Sequence, residues 1–129
     1  MVEVTEAPII PEKAIGLVRR DEYGGVISYV GTVRDSSEGK RVVYLEHQEP
    51  WSVIARRELE RIAGEIRVRW GLNDVAMIHR IGRALPGEVL LVVAIGAPHR
   101  QEAFEACQYA IDRFKEASAP WVVECTAEA

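Results

Sequence analysis

The stretch Glu88–Ala97, EVLLVVAIGA, is nearly unbroken apolar sequence. A run of that length without polar alternation suits a strand covered on both faces or nearly so, and the rest of the chain has to supply the cover. The next segment reads as one such layer. From His99 and Arg100 the pattern predicts a helix whose buried side is Ala103, Phe104, Cys107, Ile111 and Phe114, spaced three, four and seven residues apart. Pro120–Cys125, PWVVEC, then returns as a last strand.

Upstream, residues 1–10 are read as an arm or an edge strand. Pro11 suits the first turn of a short helix running through Ile15, Leu17 and Val18, because its missing N–H is not needed there. Val26–Val33, VISYVGTV, is rich in β-branched and aromatic residues and predicts a strand, with Gly31 marking a bulge or a close approach. The polar connection RDSSEGK leads to a second strand, Arg41–Gln48, expected to pair with the first as a hairpin. Trp51–Trp70 carries Ile54, Leu59, Ile62, Ala63 and Ile66 at helical intervals, and Asn73–Ile81 reads as a third strand, followed by a connection, GRALPGE.

Strands joined in pairs, rather than strict strand–helix alternation, indicate an α+β fold: a mostly antiparallel sheet, two main helices and a short N-terminal helix. The 129 residues suit one domain, 1–129, with a real core. A net charge of −4 argues against a general nucleic-acid binder. No apolar run approaches the roughly 20 residues that span a bilayer. The opening MVEVTEAPII lacks the order of a secretory signal, so a soluble, cytoplasmic protein is expected. Cys107 and Cys125 are too few for a disulfide framework and lack metal-ligand spacing, and Cys107 is expected to be a buried structural thiol.

The candidate chemistry is cationic. The first-turn N–H groups of the helix opened by His99 and Arg100 have no intrahelical partner and attract an anion; alternatively His99 is a cap and Arg100 pairs with Glu102 or Glu105. Lys115 lies sixteen residues beyond His99, about 24 Å along a helix axis. Either the ligand is long, or another element or subunit completes the site. Arg34 opens a loop ending in Lys40 and Arg41, which is either a phosphate or carboxylate seat or a solvated hairpin tip. Lys115 is read either as an ordinary surface lysine or as an amine set up for proton transfer or attack. His47, with Glu46 and Glu49 nearby, builds no ligand set, because adjacent strand residues point to opposite faces, so no metal site is expected. His79 and Arg80 are assigned to the sheet surface or a subunit contact. A Gly-rich phosphate loop and a serine nucleophile elbow are both missing from the sequence.

Several short motifs in order, GTVRD (Gly31–Asp35), YLEH (Tyr44–His47), IHRIG (Ile78–Gly82), PGE (Pro86–Glu88) and HRQEAFEA (His99–Ala106), then Ile111-Asp112, Lys115 and Trp121, make the chain from about Gly24 to Glu124 resemble the large, catalytic subunit of molybdopterin synthase. The resemblance implies an α/β-hammerhead-type fold and a central homodimer with a small ubiquitin-like sulfur-carrier subunit at each end, a heterotetramer. It also implies transfer of sulfur from the carrier's C-terminal thiocarboxylate to cyclic pyranopterin monophosphate, forming the molybdopterin dithiolene in molybdenum cofactor biosynthesis. No metal or organic cofactor of the protein's own is implied.

By position, the resemblance implies that Thr32, Val33 and Arg34, with His99 and Arg100, hold the anionic pterin, some of them from the dimer mate. Lys115 would be the catalytic lysine beside the thiocarboxylate, and Val122, Val123 and Glu124 would line the same site. The family usually has a second lysine where this chain has Val122, seven residues beyond Lys115. Either Lys115 suffices, a basic residue elsewhere substitutes, or the chain is a weakened or inactive dimeric scaffold that docks the carrier without turnover. The sequence ends at Ala129, without the basic tail of longer members. An anion-binding domain unrelated to pterins is the third reading.

Overall fold

A computed structural model describes residues 1–127, and of Glu49 the backbone alone; the chain end at Ala129 and the Glu49 side chain lie outside the described residues. The apolar run becomes strand β7 (Val89–Ala97), buried from Leu91 onward. It lies between β5 (Val75–Arg80) and β2 (Gly25–Thr32), antiparallel to both. Residues at the amino terminus form β1 (Val2–Thr5), a parallel edge strand on β5 that completes a four-stranded sheet.

Strand alternation divides the core between the two faces of this sheet. Val75, Met77, Val93, Ile95 and Ala97 pack under α2 (Ser52–Trp70) and α3 (Arg100–Ser118). Ala76, Ile78, Val92 and Ala94 face the other way, onto Ala14 of α1 (Pro11–Leu17) and its flanks Ile9 and Val18. α2 buries Ala55, Leu59, Ile62 and Ile66, while Ile54 stays exposed. α3 differs from the expected face: Phe104 is 57% exposed and Ile111 half-buried, while Ala106 and Ala110 join Ala103, Cys107 and Phe114 underneath. The stripe is made of small residues, which let the helix axis approach the sheet and leave the bulky Phe104 outside.

The expected hairpin between the strands at residues 26–33 and 41–48 does not form. β2 pairs with β7 along its whole length, while β4 (Lys40–His47) belongs to a second sheet. There β4 pairs with β3 (Ser36–Ser37), β6 (Gly82–Ala84) and β8 (Val122–Ala127). The chain leaves the first sheet at Val33, whose side chain enters a separate core with Val42 and Ala84. Burial of Val33 there outweighs the local turn preference. β6 also corrects the reading of GRALPGE as connection only: the turn is confined to Leu85–Glu88, with Gly87 at φ +89. The last strand starts at Val122, because Pro120 lies in a 3-10 turn, Ala119–Trp121. The architecture is α+β, as expected.

One glycine is required by the packing of α1's end against β7. A Cβ on Gly96 would lie 2.1 Å from the Val18 carbonyl oxygen, a backbone atom that cannot move aside. Gly96→Ala is therefore expected to destabilise the protein by about 3 kcal/mol or more in urea denaturation; an unchanged midpoint would contradict this packing.

Candidate active site

The two sheets meet where β5 ends. Gly82, at φ +82, turns the chain out of the first sheet directly into β6 of the second, where it lies opposite His47 at the end of β4. That crossing brings His79 of β5 against His47, with ring centroids 4.5 Å apart and the rings perpendicular. On its other side His79 meets Phe114 of α3 edge-on at 4.8 Å, and Phe114 in turn packs on Trp121. His79 is 1% exposed, so it is neither a sheet-surface residue nor a subunit contact; its parity with Met77 turns it under α3.

This seam floors a cavity of about 150 Å³ lined by Tyr29, Gly31, Thr32, His47, His79, Leu90, Leu91, Phe114, Lys115 and Ser118. Lys115, one helical turn before the end of α3, is exposed at this cavity with its ammonium 5.9 Å from the Tyr29 ring centroid. Gly31 leaves the space open: a Cβ there would come within 3.1 Å of the Tyr29 ring. The expected irregularity at Gly31 is present. Between Gly31 and Thr32 the β2–β7 register skips Leu90, and the Leu90 carbonyl lies 3.3 Å from His79 Nδ1.

Burial makes both histidines poor bases. It lowers His47 to about 4 and His79 to about 3, with His47 adding to the effect on His79 and the Leu90 carbonyl opposing it. Each keeps a buried ring nitrogen without a hydrogen-bond partner, Nδ1 of His47 and Nε2 of His79. Cys107 is free and buried, and desolvation raises its thiol to about 11, which leaves no thiolate for nucleophilic work.

Of the residues singled out in the sequence, one chain brings Thr32 and Lys115 together. Val122 stands beside the cavity's edge as the strand partner of His47, with the exposed Val123 and Glu124 opposite Glu46 and Leu45. Arg34 is exposed and follows Val33, whose side chain is buried and whose N–H and carbonyl are bonded to Glu88 and Gly87. His99 and Arg100 are exposed at the opposite end of α3, lining a separate depression with Gly24, Pro98 and Gln101. His99 occupies the N-cap position without a side-chain cap bond, and among the described residues Arg100 has no ion-pair partner. Among those residues there is also no cluster of three or more metal-ligating side chains, and no helix long and apolar enough to cross a membrane.

Comparison with known proteins shows the family. The family model for the MoaE protein matches residues 4–117. The chain belongs to the MoaE family. The molybdopterin synthase catalytic subunit of Bacillus subtilis is 39% identical over 122 residues, covering 95% of this chain and 77% of that protein. The crystal structure of molybdopterin synthase from Staphylococcus aureus superimposes with a TM-score of 0.87 at 28% identity, covering 98% of this chain and 90% of that one. A chain in the complex of subunits 1 and 2 of the molybdopterin-converting factor from Helicobacter pylori has a TM-score of 0.65 at 17% identity, covering 88% of this chain and 77% of that one, a likeness of fold. Within this MoaE fold, the motif residues His47 and His79 converge with Lys115, although sequence spacing left them unconnected.

The histidine pair has a consequence for stability. Because both folded pKa values lie below the ordinary value of 6.5, the unfolded chain binds more protons as the pH drops below it. Stability is then complete above pH 6.5 and declines towards pH 4, by on the order of 1.4 kcal/mol per pH unit for each histidine. Urea titrations at pH 7, 6, 5 and 4 should show this slope, and His79→Phe should flatten it. An equal slope in the variant would contradict the assignment.

Proposed function

We propose that this chain transfers sulfur from the C-terminal thiocarboxylate of a small ubiquitin-like carrier subunit to cyclic pyranopterin monophosphate, forming the molybdopterin dithiolene. The observation that carries the reading is the narrow cavity at which Lys115 stands, in a chain of the MoaE family. A cavity of about 150 Å³ is the size of one that holds benzene, so it suits an extended tail ending in glycine rather than a branched residue. Attack by the thiocarboxylate sulfur on the pterin would join the two through a thioester, and hydrolysis of that thioester by water would leave the sulfur on the pterin and a carboxylate on the carrier; both steps place negative charge on oxygen. A lysine ammonium at the cavity's mouth stabilises that charge and can supply a proton. The thiol of Cys107 has no part in it.

The pterin, an anion, would lie outside this cavity against Thr32 and Arg34, beside Val122, Val123 and Glu124; Val33, buried and with its N–H and carbonyl bonded within the fold, anchors these neighbours and does not touch it. Phosphate favours guanidinium and imidazole donors, and His99 and Arg100 fit that task. On one chain they stand at the wrong end of α3 from Lys115, about 24 Å away along the axis. We therefore assign them to the partner's site in a homodimer, which with two carriers makes a heterotetramer. No metal or organic cofactor enters this scheme. Cytoplasmic action accords with the two free cysteines, Cys107 and Cys125. Relatives that bear the name of catalytic subunit favour turnover over a docking-only scaffold, so Lys115 is taken to suffice where Val122 carries no charge.

Incubation of the purified chain with thiocarboxylated carrier and cyclic pyranopterin monophosphate should yield molybdopterin. Lys115→Ala should reduce the rate on the order of 100- to 1000-fold while leaving carrier binding on size exclusion intact. Carrier binding without product in the unmodified protein would overturn the enzyme reading in favour of the scaffold. Gly31→Val should block the same step by filling the tail cavity and displacing Tyr29; full activity in that variant would place the tail elsewhere.

A further inference from the structure

The motifs IHRIG and PGE contribute a charged pair that the sulfur-transfer scheme leaves unused. Arg80 of β5 and Glu88, just before β7, form an ion pair, with Arg80 Nη1 2.9 Å from Glu88 Oε2. The Arg80 side chain is 12% exposed, so it does not stand on the sheet surface, and its Nε is buried without a hydrogen-bond partner. Strand parity puts it on the face of the apolar Ala76 and Ile78. Taking a guanidinium out of water there costs more than an apolar side chain would, and a buried pair adds no stability over well-packed hydrophobics. The other Glu88 oxygen, Oε1, accepts the Leu85 N–H at 2.7 Å, and the Glu88 N–H donates to the Leu85 carbonyl at 2.9 Å. The carboxylate therefore ties the turn Leu85–Glu88 across its own ends. Leu85 is 56% exposed, so burial of its side chain does not hold that turn. The Leu85 N–H and, after it, Arg80 keep the Glu88 carboxyl below its ordinary pKa, an anion near neutral pH.

The turn grips the end of β2 that leads to Arg34. The Val33 N–H donates to the Glu88 carbonyl at 3.0 Å, and the Gly87 N–H donates to the Val33 carbonyl at 2.8 Å. Burial of Val33 fixes where that side chain sits. The two bonds fix the peptide planes on either side of it, and with them the direction in which the chain leaves towards Arg34. Arg34 is exposed and lies in no strand or helix, so its backbone is held through its flanks: Val33 before it, and after it Asp35, whose carbonyl accepts the Val42 N–H at 2.9 Å. A guanidinium fork binds phosphate only when it meets the oxygens squarely. We infer that Arg80 and Glu88 are positioning residues for the anionic substrate: their ion pair sets the turn Leu85–Glu88, the turn grips Val33 by two backbone hydrogen bonds, and Val33 so held fixes the backbone from which Arg34 reaches the pterin. This rests on the proposed placement of the pterin against Arg34 and adds to it the residues that hold that seat in place. The pair itself does not touch the ligand.

The test uses the intact chain with thiocarboxylated carrier and varied cyclic pyranopterin monophosphate in the sulfur-transfer assay. Glu88→Gln keeps an oxygen for the Leu85 N–H but loses the ion pair, and Arg80→Met loses the guanidinium. Each should raise KM for the pterin about tenfold, the scale of a small misplacement of a binding group, with kcat unchanged. In an Arg34→Ala background, itself expected to raise that KM, neither substitution should add a further rise, because both act through Arg34. Amide hydrogen exchange at Val33 should quicken at least about tenfold in Glu88→Gln, with exchange at Val93 in the centre of β7 unchanged. If Arg34→Ala raises KM but neither pair variant does, the inference is overturned while the placement of the pterin stands. The same holds if the pair variants raise KM as much without Arg34 as with it, or if exchange at Val33 does not change. If the unsubstituted chain yields no product, or Arg34→Ala leaves KM unchanged, that placement falls and the inference with it. Loss of folding in both pair variants would assign the pair to the fold and overturn the inference as well.

Discussion

The perpendicular contact of His79 with His47, backed by Phe114, is where the first sheet, the second sheet and the end of α3 all touch. The cavity exists because five elements, β2, β4, β5, β7 and α3, converge on it without filling it. β5 delivers His79, the sheet change at Gly82 sets β6 and the end of β4 opposite, and α3 brings Lys115 over the edge. Were the floor wholly apolar, the seam would be more stable and the space above it would hold a greasy group. Two imidazoles, lowered by burial to about 4 and about 3, put polar groups into that floor at the expense of acid stability.

β7 explains why the contact is held so firmly. Its side chains are buried towards α2 and α3 on one face and towards α1 on the other, and it has a strand on each side. The bulge at Leu90 lies at its less buried end, where it exposes a carbonyl to His79 without disturbing the centre. The buried centre and the bulged end at the site are thus parts of one strand. α3 repeats the arrangement: its alanine stripe sits close on the sheet, and its last turn, carrying Lys115 and Ser118, reaches the cavity.

Much of this was legible from periodicity. The continuous apolar run announced β7, and the three-and-four spacing announced α2 and α3, because burial against a sheet imposes those patterns on any sequence. Pairing was not legible. Strands 26–33 and 41–48 looked like a hairpin because they are neighbours joined by a turn-rich loop, yet the burial of Val33 and Val42 in a second core separates them. Phe104 looked buried because it is large and apolar, but the tight approach of Ala103, Ala106 and Ala110 decided the face. His79 carried a usable signal: it shares parity with Val75 and Met77 in an apolar strand, which places it inside. His47 and His79 could not be linked beforehand, since nothing local encodes the change of sheet at Gly82. The separation of His99 and Arg100 from Lys115, by contrast, came from helix geometry alone.

The central claim is that a carrier's terminal residue enters the space between Lys115 and the histidine floor. The most direct measurement is a crystal structure of this chain with its thiocarboxylate-bearing carrier. The expected result is a tail threaded past Tyr29 and Gly31, with its terminal group beside the Lys115 ammonium. A tail resting elsewhere on the surface, with the cavity above His79 closed or filled by other side chains, would contradict it.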